Sequence, residues 1–315
     1  MELSVIIANY NGRQWLPACL TSLAAQTKGL AHEVIVVDNA SQDDGVAWLR
    51  RAFPAVKLIL NEANVGFAAA NNQGIEQAQG RYILLLNNDT IFETGLPEMI
   101  SFLEEHPDCG AVGPQMLNGR GEPRGSWGYF PTLGRLAATM LMVDRLPILN
   151  RRFPALLVRP SRAAFFKPAH PVDWASAACL LVKREVFERV GLLDTHYFMY
   201  GEEVEWCYRA RQAGYRVWVL PSARLVHFGA GGQEWRDWKG PAATRNSFAN
   251  FLYFHQKHSP GWQQILLRLA LLAGACLRLL AGVALYAIER GGGRQSAARV
   301  IEAYARLIPM LARLT

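Results

Sequence analysis

The sequence predicts an α/β fold: a mostly parallel sheet covered by helices on both faces. Three observations lead there. Short, nearly continuous apolar runs recur along the first third of the 315 residues, as strands buried on both faces require. Segments with helical spacing alternate with them. Several of the runs end abruptly in Asn, Asp or Ser, at the carboxyl ends where such sheets place their functional groups.

Taken in order, "LSVIIA" (3–8) is a β-branched run bounded by polar residues and reads as a strand. From Trp15 to Ala25, Leu16, Cys19, Leu20 and Leu23 fall at helical spacing, with Pro17 suited to a first turn. "EVIVVD" (33–38) and "VKLIL" (56–60) are a second and third strand. "FAAANNQGIEQAQG" (67–80) predicts a helix closing on Gly80, "RYILLL" (81–86) a fourth strand, and 95–105 a further helix. No internal repeat or low-complexity segment interrupts the pattern.

Charge and cysteine content narrow the function classes. The net charge is +7, and residues 262–315 hold +5 of it, seven Arg against two Glu. The remaining +2 is spread over 261 residues, which argues against a nucleic-acid surface on the main body. Cys19, Cys109, Cys179, Cys207 and Cys276 are odd in number, with no CxxC pair. They predict core thiols in a reducing compartment rather than a disulfide framework or a cysteine zinc site. "MELSVIIANYNG" carries Glu where a signal peptide needs positive charge, so a cytoplasmic location is expected.

Three polar strand ends, "ANYNG" (8–12), "VVDNASQDD" (36–44) and "LLLNNDT" (84–90), are placed to converge on one crevice. Capping and turn formation account for any one of them. Neither GxGxxG nor GxxxxGK[ST] is present, so a nucleotide bound here needs side chains and a metal in place of a glycine loop. A carboxylate such as Asp89 can hold a hard divalent cation and leave positions open for phosphate oxygens. A second constellation is "YFMYGEEVEWCY" (197–208), where Glu202, Glu203 and Glu205 crowd among aromatic residues. Three acids in a helix's first turn suit its dipole. Carboxylates beside rings in a cleft also acquire raised pKa values and serve as bases. His227 follows the apolar run "VWVLPSARLV".

The blocks "SVIIANYNG", "VIVVDNASQDD", "NVGFAAANNQGI", "YILLLNNDT", "VDWASAACLLVKREVFERVGLLD", "YFMYGEEVEWCYRARQAGYRV" and "LVHFG" occur in this order. Together they resemble glycosyltransferase family 2, the inverting enzymes of GT-A fold, over residues 3 to about 260. The likeness is strongest to bacterial rhamnosyltransferase-like members that build cell-surface polysaccharide. It implies a Rossmann-like mixed sheet and a catalytic domain over 1–260, with a nucleotide-sugar half (1–115) and an acceptor half (116–260).

The resemblance also implies residue roles. Ala8, Tyr10, Asp38, Asn39, Asn71, Asn88 and Arg245 fall at donor-binding positions, Asp38 reading the base. Asn87-Asn88-Asp89 matches the DxD motif, with Asp89 and His227 on Mn2+ or Mg2+. Glu203, beside Glu202, matches the catalytic base, and Trp174, Tyr200 and Glu202 the acceptor pocket. The chain departs from the pattern at Asn87, which stands for the first acid, and at Glu203, which stands for Asp. The implied activity is a metal-dependent, single-displacement transfer from dTDP-rhamnose or a UDP-sugar to a glycan or lipid-linked acceptor. A rival reading, which Asn87 supports, is a catalytically weak nucleotide-sugar-binding scaffold protein.

Residues 265–288 are apolar except for Arg268 and Arg278, long enough to span a bilayer, though two arginines make spanning costly. In "ARVIEAYARLIPMLARLT", Arg299, Arg306 and Arg313 recur every seven residues. The tail (261–315) is thus expected to lie as amphipathic helices on an anionic membrane, peripheral at the inner face of the cell membrane. Its alternative is packing on the catalytic domain or in a homodimer. Residues 136–158 are a second candidate contact or an acceptor-site flap.

Overall fold

The structure is a computed structural model that describes residues 1–141, 156, 168–229, 241–288, 290 and 292–312, with 241–247 as backbone only. The chain divides into two compact units, Met1–Phe130 with Leu157–Gly229, and Pro131–Leu156 with Ala230–Thr315.

The first unit opens with β1 (Leu3–Asn9), α1 (Leu16–Gln26), β2 (His32–Asp38), α2 (Gly45–Ala52), β3 (Lys57–Leu60), α3 (Phe67–Gln77) and β4 (Tyr82–Leu86). All but α2 are expected elements, in the expected order; α2, between β2 and β3, was not read from the sequence. A three-residue turn leads to β5 (Thr90–Thr94), then α4 (Leu96–Glu105) and β6 (Cys109–Leu117). After β7 (Trp127–Gly128) the chain leaves the unit and returns with β8 (His170–Val172), β9 (Trp174–Ala175) and β10 (Cys179–Lys183). α6 (Arg184–Val190), α7 (Glu202–Gln212) and β11 (Arg216–His227) complete it; α5 (Leu133–Met140) belongs to the second unit.

The sheet runs β3-β2-β1-β4-β10-β6-β11-β5, with β8 beside β11, and β7 and β9 form a separate pair. Its first four strands are parallel, as the sequence predicts. The other half corrects "mostly parallel" to mixed. β10 runs antiparallel to both β4 and β6, and β11 antiparallel to β5 and β8. The turn Asn87–Asp89 is too short for a crossover, so β5 cannot lie parallel beside β4 and pairs instead at the far edge.

Alternate residues of the central strands feed two cores, one per face. Val5, Ile7, Leu84 and Leu86 pack with Leu20 of α1 and Met99 of α4. Ile6, Ile83 and Leu85 pack with Ile75 of α3 and Trp206 of α7. Each fully buried aliphatic side chain contributes roughly 1.5–3 kcal/mol. The helix predicted to close on Gly80 ends earlier, at Gln77. Gly80 serves the sheet instead: a Cβ there would lie 2.4 Å from the Ser4 nitrogen, so only glycine lets the chain pass β1 this closely.

The second unit contains α5 (Leu133–Met140), α8 (Pro241–His258), α9 (Gly261–Ile288) and α10 (Gly292–Ala312). Its core gathers Leu136, Met140, Leu267, Leu271, Leu307 and Leu311. α9 is the one helix among the described residues long and apolar enough to cross a membrane. Most of the predicted 136–158 contact, the Arg245 side chain and Arg313 lie outside the described residues.

Candidate active site

The ends of β1, β2 and β4 are tied by side chains. Asn9, the buried last residue of β1, stands opposite Asp38 in the parallel ladder and donates from Nδ2 to Asp38 Oδ2 at 2.8 Å. Asn88 Nδ2 donates to Asn9 Oδ1 at 2.8 Å. Asp38, only 3 % exposed, also accepts from the Ser41 amide (2.9 Å) and hydroxyl (2.6 Å). Asn39 donates to the Gly66 carbonyl at 3.3 Å and accepts from Asn61 Nδ2 at 2.9 Å. These bonds satisfy amides and a carboxylate that burial would otherwise penalise. Ala8 lies in β1 opposite Val37, and Tyr10, just past the strand, is exposed.

A second group forms where β5 meets β11. The antiparallel register sets His227 opposite Thr90, and Phe228 N donates to the Asp89 carbonyl at 3.0 Å. His227 Nε2 therefore lies 3.3 Å from Asp89 Oδ1 and 3.4 Å from the Asn87 amide nitrogen. Asn87 Oδ1 is buried and makes no hydrogen bond among the described residues. A half-turn of that amide brings its oxygen toward the same nitrogen. No three His, Cys, Asp or Glu among the described residues are placed to hold one metal ion together, so Asp89 and His227 alone are a thin metal site. With the orphaned Asn87 oxygen they make a carboxylate, imidazole and amide set that fits a hard divalent cation. Cys19 backs the turn, its thiol 3.5 Å from the Asn87 carbonyl. Burial pushes that thiol up to about 12, which makes it packing rather than chemistry.

The third group is the start of α7. Gly201 (φ +107°) precedes Glu202, and Tyr200 holds a left-handed φ of +67°. Such a φ on a bulky residue persists only where the surroundings impose it, and here α3 does so. Asn72 exchanges hydrogen bonds with both backbone groups of Leu193 (2.8 and 3.0 Å), and Phe67 N donates to the Phe198 carbonyl at 2.8 Å. The loop so pinned exposes Phe198, Met199 and Tyr200. Glu203 Oε2 accepts from the Gly201 amide at 3.2 Å, while buried Glu202 has an Oε2 without a partner among the described residues.

Burial raises both carboxyls. Glu202 is held well above the usual range, by burial first and then by the Glu203 charge. Glu203 is raised by burial against three backbone amides that lower it. The Gly201 hydrogen bond favours the ionised form of Glu203, whereas Glu202 Oε2 has no such donor among the described residues. Glu205 is structural, paired with Arg209 at 2.9 Å.

Arg124 links two of these groups, and sequence reasoning missed it. It follows a tight excursion closed by Asn118, and its Nη1 donates to the His227 carbonyl at 2.8 Å. Burial lowers its guanidinium pKa, and the charge of Asp89, with that of Tyr200 when ionised, opposes the shift. Asn9, Ser41 and Asn61 were missed as well. The signal for Asn9 was available: it lies between Ala8 and Tyr10 in a run already singled out. Asn71 is buried in α3 and donates to the Phe67 carbonyl at 2.8 Å, with its Oδ1 unpartnered among the described residues. Trp174, in β9, donates from its indole to the Tyr129 carbonyl at 3.1 Å.

Residues 4–191 match the sequence model of Glycosyl transferase family 2. The chain belongs to that family. This glycosyltransferase is 28% identical over 289 residues to the N-acetylglucosaminyl-diphospho-decaprenol L-rhamnosyltransferase of Mycobacterium tuberculosis, an alignment covering 88% of this chain and 91% of that protein. It is 28% identical over 235 residues to the low-salt glycan biosynthesis hexosyltransferase Agl10 of Haloferax volcanii, covering 72% and 67%. Its fold is similar to that of the mannosyltransferase PcManGT of Pyrobaculum calidifontis, solved with GDP-Man and Mn2+. There the TM-score is 0.55 at 18% identity, over 99% of this chain and 84% of that one. GalNAc-T7 with UDP, GalNAc and Mn2+ gives 0.53 at 18%, over 73% and 44%. The glycosyltransferase thus has the GT-A fold.

Proposed function

We propose that this glycosyltransferase moves a sugar, with inversion, from a nucleotide-sugar donor to a hydroxyl of a glycan or lipid-linked acceptor in cell-surface polysaccharide synthesis. The observation that carries the reading is Glu203 in the first turn of α7, directly after the exposed Phe198–Tyr200 loop and held by the Gly201 amide, in the same unit as the Asp89–His227–Asn87 cluster. Glu203, whose ionised form that amide favours, takes the proton of the acceptor hydroxyl. The acceptor oxygen forms its bond to the sugar's anomeric carbon as the bond from that carbon to the diphosphate oxygen breaks. The electron pair leaves with the nucleoside diphosphate. Glu202 stays protonated and adds no second charge beside the nucleophile. Proton removal by a placed base supplies about 10²- to 10⁴-fold. Asp89, His227 and Asn87 would hold Mn2+ or Mg2+, which when bound neutralises charge on the departing diphosphate.

Asp38, Asn39, Asn71, Asn88, Ala8 and Tyr10 make the donor side in this proposal, with Arg245 as a basic group over the diphosphate; Trp174 and Tyr200 serve the acceptor. The division into a donor half (1–115), an acceptor half (116–260) and a tail (261–315) is part of it. So are a cytoplasmic location at the inner face of the membrane and the choice of dTDP-rhamnose among donors. The name of the mycobacterial relative, a rhamnosyltransferase with a diphospho-decaprenol acceptor, favours rhamnose and a lipid-linked acceptor.

The test is a thermal-shift panel of dTDP-rhamnose, UDP-N-acetylglucosamine and GDP-mannose with and without Mn2+, followed by transfer to a polyprenyl-diphosphate sugar. One donor should raise the melting temperature with Mn2+ and give product. A donor that binds without transfer to any acceptor would move the assignment to the scaffold reading.

A further inference from the structure

α9 presents two faces of different kinds. One packs inside its own unit: Leu267, Leu271 and Ala275 join the core with α5 and α10, and a Cβ on Gly274 would meet that of Met140 at 2.6 Å. Arg278 turns to this side, donating to the Thr139 carbonyl and standing 5.8 Å over the Tyr304 ring. One of the two arginines that make spanning costly is therefore taken up by protein. The other face is an exposed stripe at helical spacing through Trp262, Ile265, Leu269, Leu280 and Val283, with no charged residue on it. From Val283 to Ile288 the helix is exposed all round, Ile288 by 78 %. Basic residues follow at once: Arg290, then Arg294, whose guanidinium stands 4.3 Å over the Tyr286 ring, then Arg299, all exposed.

We infer that the end of α9 and the start of α10 form an anionic-lipid foot. The turn Val283–Ile288 enters the acyl boundary, Tyr286 lies at the interface, and Arg290, Arg294 and Arg299 meet lipid phosphates. This deepens the membrane placement proposed above and rests on it for its biological setting, but not on the sugar chemistry. Charge chooses the occupant. Residues 283–299 carry three Arg and one Glu, a surface that attracts anionic headgroups. A second copy docked on the same turn would bring these arginines against their equals. Arg278, held on the protein side midway along α9, and the arginines that follow Ile288 favour an in-plane placement, as apolar and basic residues together do at an interface.

The experiment is co-sedimentation of the full chain with phosphatidylcholine vesicles, with and without phosphatidylglycerol. The intact protein should pellet with the anionic vesicles. Arg294→Gln with Arg299→Gln should weaken that binding roughly 25-fold, at about fivefold per arginine, and leave the weak binding to neutral vesicles unchanged. Val283→Asp with Ile288→Asp should weaken both. Ile288→Trp should add a blue-shifted emission component that saturates at lower lipid concentration on anionic than on neutral vesicles. A donor-induced thermal shift equal to wild type certifies that each variant is folded. Wild-type protein left in the supernatant, or Asp variants that pellet as wild type does, would overturn the inference. So would Asp variants that dissociate a dimer in sedimentation velocity, which would give the face to a second copy. If vesicle binding holds while no donor is bound or transferred, the foot stands and the proposed reaction falls.

Discussion

Glu203→Gln separates chemistry from architecture because the structure limits what else the change can do. The carboxylate faces backbone amides at the start of α7, Gly201 N donating at 3.2 Å, and a glutamine oxygen can accept from them too. Losing the charge weakens that bond by about 1 kcal/mol at most, or a few degrees of melting temperature in a domain of this size. Losing the base is larger: a factor of 10² is about 2.7 kcal/mol on the barrier. Turnover should therefore fall at least 100-fold while donor affinity stays within a few-fold of wild type. Initial rates of nucleoside diphosphate release, with calorimetric donor titration, give both numbers. The base must be ionised, and burial raises its pKa. The wild-type rate should thus climb with pH on a limb displaced above the ordinary glutamate range, and the variant should lack that limb. Near wild-type turnover in Glu203→Gln, or an equal loss in Glu202→Gln with the limb intact, refutes the assignment.

Glu202→Gln tests linkage. A carboxyl whose pKa is raised by folding contributes fully below its unfolded value near 4.5 and loses that contribution as pH rises toward the folded value. The variant's melting temperature should gain on wild type between pH 5 and pH 8. Asn87→Asp restores the missing acid and should lower the Mn2+ concentration needed for half-maximal donor binding, read by titration with a chelator control. Gly66→Ala places a Cβ 2.7 Å from the Phe198 carbonyl at a φ of +87°. It should cost about 2–4 kcal/mol in thermal unfolding and lower turnover of the folded enzyme, because the same contact holds the Tyr200 loop.

The parallel half of the sheet was legible because strands buried on both faces need unbroken apolar runs, and "VIIA", "VIVV" and "ILLL" are such runs. The antiparallel half was not. β10 ("CLLVK") has the same texture as its neighbours, and nothing local fixes its direction; the partners on either side do. β5 ("TIFET") is a half-exposed edge strand without a strong period. At the site, the family blocks marked Asp89, His227 and Glu203, but a motif names positions rather than contacts. That Asn9 bonds both Asp38 and Asn88 depends on the register of β1 with its neighbours. Arg124 depends on a turn outside every block, and so carried no signal.

The ladder that sets His227 against Thr90 joins chain segments far apart in time as well as in sequence, since Asn87 and His227 are 140 positions apart. A ribosome adding about 5–20 residues per second needs roughly 7–28 s between them. Closing a loop of that length costs about 4 kcal/mol before any contact repays it. The nascent protein can thus form its parallel half long before the Asp89 cluster exists, so under the roles proposed above it is inactive at that stage. On refolding, recovery of nucleotide binding should trail recovery of helical signal, and bound nucleotide should slow hydrogen exchange most at β5 and β11, the seam closed last.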